Sequence, residues 1–195
     1  MSERLLTVLR ERFGTAVLET HSHVGDDTAV VDASRWHEVC SFLRSDPQCD
    51  MNMLVDLCGV DYPERTPRFE VVLHLYSIAR RHRLRLKARV GDEEGEGADI
   101  ESVTDIWSGA NWFERETYDL MGITFKNHPD LRRILMYPEF EGHPLRKDYP
   151  ANKTQPLVPY RTEAEAGLPL EKLPPFGPDE GMPFGRHAYP SKGEA

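Results

Sequence analysis

An α+β fold is predicted, with a mixed or antiparallel sheet packed against helices and a long, extended, proline-rich C-terminal tail. Helix-period apolar stripes at residues 3–13 and 35–46 supply the helices, and strict alternation at 68–79 and 82–90 supplies paired strands. Eleven of the fifteen prolines fall between Pro138 and Pro190, where neither period survives. A chain of 195 residues with 39% hydrophobic content can hold one domain with a real core. The shift in composition divides it into a domain at 1–137 and a tail at 138–195.

Leu5, Leu6, Val8, Leu9 and Phe13 form the first stripe, and Gly14 ends it as a C-cap. "TAVLET" (15–20) and "TAVVDA" (28–33) read as short strands around a polar turn from His21 to Asp27. Ser34 opens the second helix, "RWHEVCSFLRSD", which Pro47 closes. "MNMLVDLCGVDYPER" (51–65) is an apolar run broken at Gly59 and Pro63. The strands "RFEVVLHLYSIA" and "HRLRLKARV" follow, joined by a short turn at Arg80–His82. In the second of them Leu84, Leu86, Ala88 and Val90 face the core, while Arg83, Arg85, Lys87 and Arg89 face solvent or an acidic partner. "GDEEGEGADIES" (91–102) is an acidic, glycine-rich turn. Residues 112–121 form a helix capped by Ser108 or Asn111 and closed by Gly122 in the left-handed region. Phe113, Thr117 and Leu120 or Met121 make its buried stripe, with its charges on the flanks. Aromatic and aliphatic residues spaced through the tail, from Tyr149 and Leu157 to Phe184 and Tyr189, suit a segment that lies along a partner.

A formal net charge of −9 argues against a general nucleic-acid binder, because binding a polyanion is driven by Lys and Arg releasing counterions. The basic face at 83–89 also lacks the interleaved aromatics that stack bases. No apolar run approaches the roughly 20 residues of a bilayer span. The start, "MSERLLTVLRERFG", is an amphipathic helix and not a signal peptide. The chain is therefore expected in the cytoplasm, touching a membrane only through partners. Cys40, Cys49 and Cys58 are spaced by nine with no CxxC, and are expected to be reduced, mostly buried thiols and not a zinc or iron–sulfur ligand set.

"WFERETYDLMGITF" (112–125) concentrates Glu114, Arg115, Glu116 and Asp119 and raises the question of acid–base catalysis. On a helix Glu114 and Glu116 point about 200° apart, so they cannot serve one substrate from one face. Arg115 and Asp119, at i and i+4, can pair with each other. His128 in "NHPD" and His143 in "GHPLRKD" each precede a proline and mark loop corners or an interface. There is no GxGxxG, no GxxxxGK[ST] and no GxSxG elbow. The residues themselves show no self-contained active site. They leave open a stand-alone acid/base hydrolase using Glu114, Glu116 and Asp119, or an RNA-binding α+β module.

"WSGANWFERETYDLMGITFKNHPDLRRILMYPEFEGHPLRKDYP", residues 107–150, closely resembles the 30-kDa (C-type) subunit family of respiratory complex I, the proton-translocating NADH:quinone oxidoreductase. The signature is Glu114-Arg115-Glu116, Asp119, Gly122, His128-Pro129, Arg133-Ile134-Leu135 and Gly142 to Tyr149. Upstream, "DLCGVDYPERTPRFEVVLHLYS" extends the likeness back to about residue 54. The resemblance implies a non-catalytic, stand-alone 30-kDa-type subunit of the peripheral arm, inactive as an isolated chain. FMN, the iron–sulfur clusters and quinone would be bound by other subunits. It implies a tail running along the 49-kDa (D-type) subunit, with contacts to subunits B and I, on the cytoplasmic side of a bacterial inner membrane. Structural or partner-interface roles are expected for Arg115, Glu116, Asp119, His128, Arg133, His143, Arg146, Lys147 and Asp148. Arg115, Glu116 and Asp119 would form partly buried ion pairs that fix the helix against the sheet and "RRIL". Arg146, Lys147 and Asp148 would clamp the root of the tail to the 49-kDa-type subunit.

Overall fold

The computed structural model describes residues 3–158 except 93, 94 and 96. Its elements run α1 (Glu3–Phe13), β1 (Val17–His23), β2 (Asp26–Val31), α2 (Trp36–Ser45), β3 (Met53–Asp61), β4 (Phe69–Ser77), β5 (His82–Val90), β6 (Ala98–Glu101), α3 (Ala110–Met121) and β7 (Ile123–Lys126). Five strands form one sheet in the order β1-β2-β5-β4-β3, antiparallel except for the parallel β2–β5 pairing. β6 and β7 pair in parallel as a second, two-stranded sheet. The α+β class with a mixed sheet is what the periodicities predict.

One face of the large sheet is the core. Leu5 and Leu9 of α1 and Trp36, Val39 and Leu43 of α2 pack in one cluster with Leu73, Leu86 and Ala88 of the sheet. All four apolar residues of β5, Leu84, Leu86, Ala88 and Val90, are buried as the alternation requires. The opposite face is not a basic stripe. Arg85 pairs with Asp26 at 3.6 Å, Lys87 with Glu70 at 2.7 Å and Arg89 with Glu19 at 2.9 Å, so acids on β2, β4 and β1 neutralise three of the four cations. An RNA-phosphate track loses its basis there.

Several local expectations change. The turn expected from His21 to Asp27 shrinks to Val24 and Gly25, because the strands keep pairing up to His23 and Asp26. Both turn residues have positive φ, 54° and 84°, the two-residue geometry that matches strand twist. Asp32, and not Ser34, caps the start of the second helical stretch by accepting the Ser34 N–H at 2.9 Å. β3 passes straight through Gly59, whose missing Cβ admits the next layer. A Cβ there would lie 3.0 Å from Ile123 Cδ1 and Thr117 Cγ2. The "ADIE" end of the acidic turn is strand β6. α3 begins after Gly109 with no side-chain cap from Ser108 or Asn111, whereas Gly122 closes it in the left-handed region at φ 76° as expected.

The compact unit runs to Pro156, past the boundary expected at 137. Segment 138–156 is tied back by polar contacts: Tyr137 donates its hydroxyl to the Pro156 carbonyl at 3.2 Å, and the Glu141 N–H donates to Gln155 Oε1 at 2.9 Å. The tail residues from Tyr160 to Tyr189 lie outside the described residues.

Val24 is a β-branched residue held in the left-handed region, at a cost of about 1–3 kcal/mol. Val24→Asn supplies the residue this turn prefers and should raise stability by about 1 kcal/mol in thermal or urea unfolding. A neutral or destabilising result would contradict the turn assignment.

Candidate functional site

α3 and the chain that follows it carry nearly all of the charged signature, and three buried acids organise that chain. Asp119, on the last turn of α3, is fully buried. Its Oδ2 accepts the backbone N–H groups of Ile134 (3.0 Å), Leu135 (2.8 Å) and Met136 (2.8 Å), and its Oδ1 accepts Arg133 Nη1 at 2.8 Å. Burial alone would raise this carboxyl. The N–H groups of Met136 and Leu135, the Arg133 guanidinium and the Ile134 N–H outweigh burial and hold it below the usual carboxylate range.

The carbonyls left open at the end of α3 are taken by "GHPLR". His143 Nδ1 donates to the Asp119 carbonyl at 2.9 Å, the Leu145 N–H to Leu120 at 3.0 Å and Arg146 Nε to Met121 at 2.7 Å. Arg133 Nη2 reaches the Gly142 carbonyl at 3.0 Å. A side chain at Gly122 would place its Cβ 2.6 Å from the His143 ring and from Arg146 Nη2, so the turn and the clamp both need glycine.

The second acid is Asp61 at the end of β3. Arg68 grips it with both arms, Nε to Oδ1 at 2.7 Å and Nη2 to Oδ2 at 2.8 Å, and donates from Nη1 to Asp148 Oδ2 at 3.0 Å. The Lys147 N–H donates to Asp61 Oδ2 at 2.8 Å. The Arg68 guanidinium holds both Asp61 and Asp148 below their ordinary range. Arg68 and Arg146 each lie 5.0 Å from the centroid of the buried Phe69 ring.

Glu114 is the third, also fully buried. It accepts the Ser102 hydroxyl at 2.6 Å and the Val103 N–H at 2.8 Å, and these do not offset burial, which pushes its carboxyl up to about 7. His128 Nε2 lies 4.0 Å away with its ring buried. That histidine accepts the Asp130 N–H at Nδ1 and donates from Nε2 to the Asn111 carbonyl, the pattern of a neutral ring.

Several expectations about charge placement are corrected here. Glu114 and Asp119 point inward, off the flank expected for them, and share the buried side of α3 with Ala110 and Thr117, while Phe113, Leu120 and Met121 are only partly covered. Arg115 does not pair with Asp119. It donates to the carbonyls of Arg132 (3.1 Å) and Arg133 (3.2 Å), and Asp119 takes Arg133 in its place. Glu116 is exposed and makes no ion pair among the described residues. Arg146, the Lys147 backbone and Asp148 are engaged within the chain. Sequence reasoning missed Asp61 and Arg68. The available signal was an acid closing one strand and a base opening the next across a Pro63–Pro67 loop.

Acid–base chemistry finds no site in this arrangement. Asp119 has both oxygens occupied, Glu114 is sealed from solvent, and Glu116 stands apart on the surface. Burial raises the thiols of Cys40, Cys49 (to about 12) and Cys58, which opposes the thiolate form. Among the described residues no three His, Cys, Asp or Glu side chains gather in a metal-binding arrangement.

Residues 29–155 match the family described as the respiratory-chain NADH dehydrogenase, 30 Kd subunit. The chain belongs to that family. It is 42% identical over 186 residues to a C-type NADH-quinone oxidoreductase subunit of Rhizobium etli, covering 93% of each chain. With the corresponding C-type subunit of Geotalea uraniireducens it shares 48% identity over 149 residues, covering 76% of this chain and 88% of the relative. The fold also resembles a chain in the structure of the membrane-bound sulfane sulfur reductase, an archaeal respiratory membrane complex. There the TM-score is 0.63 at 21% identity, covering 77% of this chain and 86% of that one. For this 30-kDa-type subunit the family match ends at residue 155, next to the end of the compact unit at Pro156. Within the matched range, Asp119, Arg133, His143 and Arg146 fold the chain after Gly122 around the end of α3.

Asp119→Ala leaves Arg133 and three N–H groups without their acceptor and should destabilise the chain by about 3–5 kcal/mol in urea unfolding. A loss under about 1 kcal/mol would contradict its role. Glu114 makes the opposite prediction for pH. An acid raised from 4.5 to about 7 on folding favours the folded state fully below pH 4.5, and that contribution is lost as pH rises through 7. Relative to wild type, Glu114→Gln should therefore gain up to about 3 kcal/mol between pH 4.5 and pH 8. Parallel stability curves for the two proteins would contradict the raised value.

Proposed function

We propose that this chain is a non-catalytic structural and assembly subunit of the peripheral arm of a proton-translocating NADH:quinone oxidoreductase. It sits in the quinone module, where electrons from NADH pass through FMN and iron–sulfur clusters held by other subunits. The observation that carries this reading is where the family signature spends its charges. Asp119, Arg133, Arg115, His143 and Arg146 all bond to backbone or to each other, shaping a surface and leaving no converged chemical group. Such a residue set suits a part that must be held in one shape against neighbours.

The 49-kDa (D-type) subunit is the principal partner, with subunits B and I adjacent. His128, Arg133 and His143 act by fixing the presenting loops, while the exposed Glu116 and Lys147 side chains are placed to meet a partner. The segment beyond Pro156 is the anchor along the 49-kDa-type subunit. None of the described helices is long and apolar enough to cross a membrane. In this reading the subunit reaches the cytoplasmic face of a bacterial inner membrane through the complex.

Deleting residues 157–195 should leave a domain that unfolds cooperatively and no longer stays with the 49-kDa-type subunit in a pull-down. Binding retained at full affinity would overturn the anchoring role. The full-length isolated chain should show no NADH oxidation or quinone reduction, and turnover by it alone would overturn the non-catalytic reading.

A further inference from the structure

One surface of α3 is unused by the signature network. A groove of about 740 Å³ lies between α3 and the 134–135 strip, lined by Trp112, Phe113, Glu116, Ile134 and Leu135. Trp112 is 70% exposed and Leu135 57%, whereas the other two tryptophans, Trp36 and Trp107, are buried at 0% and 5%. An exposed tryptophan beside an exposed leucine, rimmed by polar groups, has the composition of a binding hot spot.

The groove's far wall is also held in place by hydrogen bonds. It has no regular secondary structure, yet α3 pins it from both sides of its backbone. Arg115 takes the carbonyls of 132 and 133, and Asp119 takes the N–H groups of 134, 135 and 136. Holding Leu135 in place beforehand removes an ordering cost from association.

We infer that this groove is the seat of a neighbouring subunit of the same oxidoreductase, which inserts an apolar side chain between Trp112 and Leu135 and sets a lysine or arginine against Glu116. The inference rests on the assembly reading above. Charge selects this occupant. Glu116 is the only charged residue in the lining and makes no ion pair among the described residues, so it calls for a cation. A second copy of this chain, with net charge −9, would bring another Glu116 to a symmetric contact. An anionic lipid headgroup would meet the same carboxylate.

The test uses the whole complex, purified through a tag on another subunit. Hydroxyl-radical footprinting should oxidise Trp112 and Leu135 in the isolated full-length chain and spare both in the complex. Trp112→Ala should lower retention of this subunit through a salt wash by about tenfold or more, while Trp112→Phe retains most of it. Glu116→Lys should lower retention further at low salt than at high salt. The melting curve of isolated Trp112→Ala should match wild type, because the side chain is exposed. Equal oxidation of Trp112 in chain and complex, or full retention of Trp112→Ala, overturns the seat. So does self-association of the isolated chain that Trp112→Ala abolishes. Failure of the wild-type chain to co-purify at all would instead strike the assembly reading beneath it.

Discussion

A buried carboxylate on the last turn of α3 is the constraint around which the C-terminal part of this domain is arranged. An ionised group removed from water costs several kcal/mol unless donors replace its hydration. Asp119 receives four, three of them consecutive backbone N–H groups from a segment with no ladder of its own. The same contacts therefore satisfy two liabilities at once: the buried charge and the unpaired backbone of 134–136. The carbonyl side of the same helix end is answered by His143, Leu145 and Arg146, so both ends of the 133–146 loop return to one point.

Glu114, little more than a helical turn away, shows how sensitive this balance is. Both are closed to solvent, but Glu114 lies deeper in the protein and has two donors with no guanidinium among them, and burial wins: its carboxyl is raised where that of Asp119 is lowered. Depth and the number of donors together decide the sign. Asp61 falls with Asp119, because the two-armed Arg68 supplies what a row of N–H groups supplies elsewhere. That Arg68 also holds Asp148, and the Lys147 N–H closes on Asp61, so the end of the signature is tied to the large sheet.

The elements with clear periodicity could be read directly. β5 shows its alternation in the sequence and its burial in the structure, and α1 shows its stripe. β6 and β7 were hidden because four-residue strands whose partners lie 25 positions apart leave no local period. The inward turn of Glu114 and Asp119 was equally hidden. Helix geometry separates Glu114 from Glu116 but cannot say which side faces the core when polar partners arrive from residues 102–103 and 133–136. The i, i+4 rule proposed Arg115 for Asp119. Tertiary structure offered Arg133 together with three N–H groups, a stronger set than one exposed helical pair. Gly59 read as a break for a similar reason, since its cause is the side chain packed upon it.

Taken together, the signature is a framework that holds an irregular loop in one shape and leaves a groove beside Trp112 exposed. In the proposed assembly role, such a framework would set how much complex forms and leave what each complex does unchanged. The direct measurement is NADH:quinone turnover per assembled complex, alongside assembled yield, in cells whose only copy of this subunit is Asp119→Asn. The structural account predicts a reduced yield with turnover per complex unchanged. Full yield with slow turnover would contradict it and return the carboxylates of α3 to the chemistry.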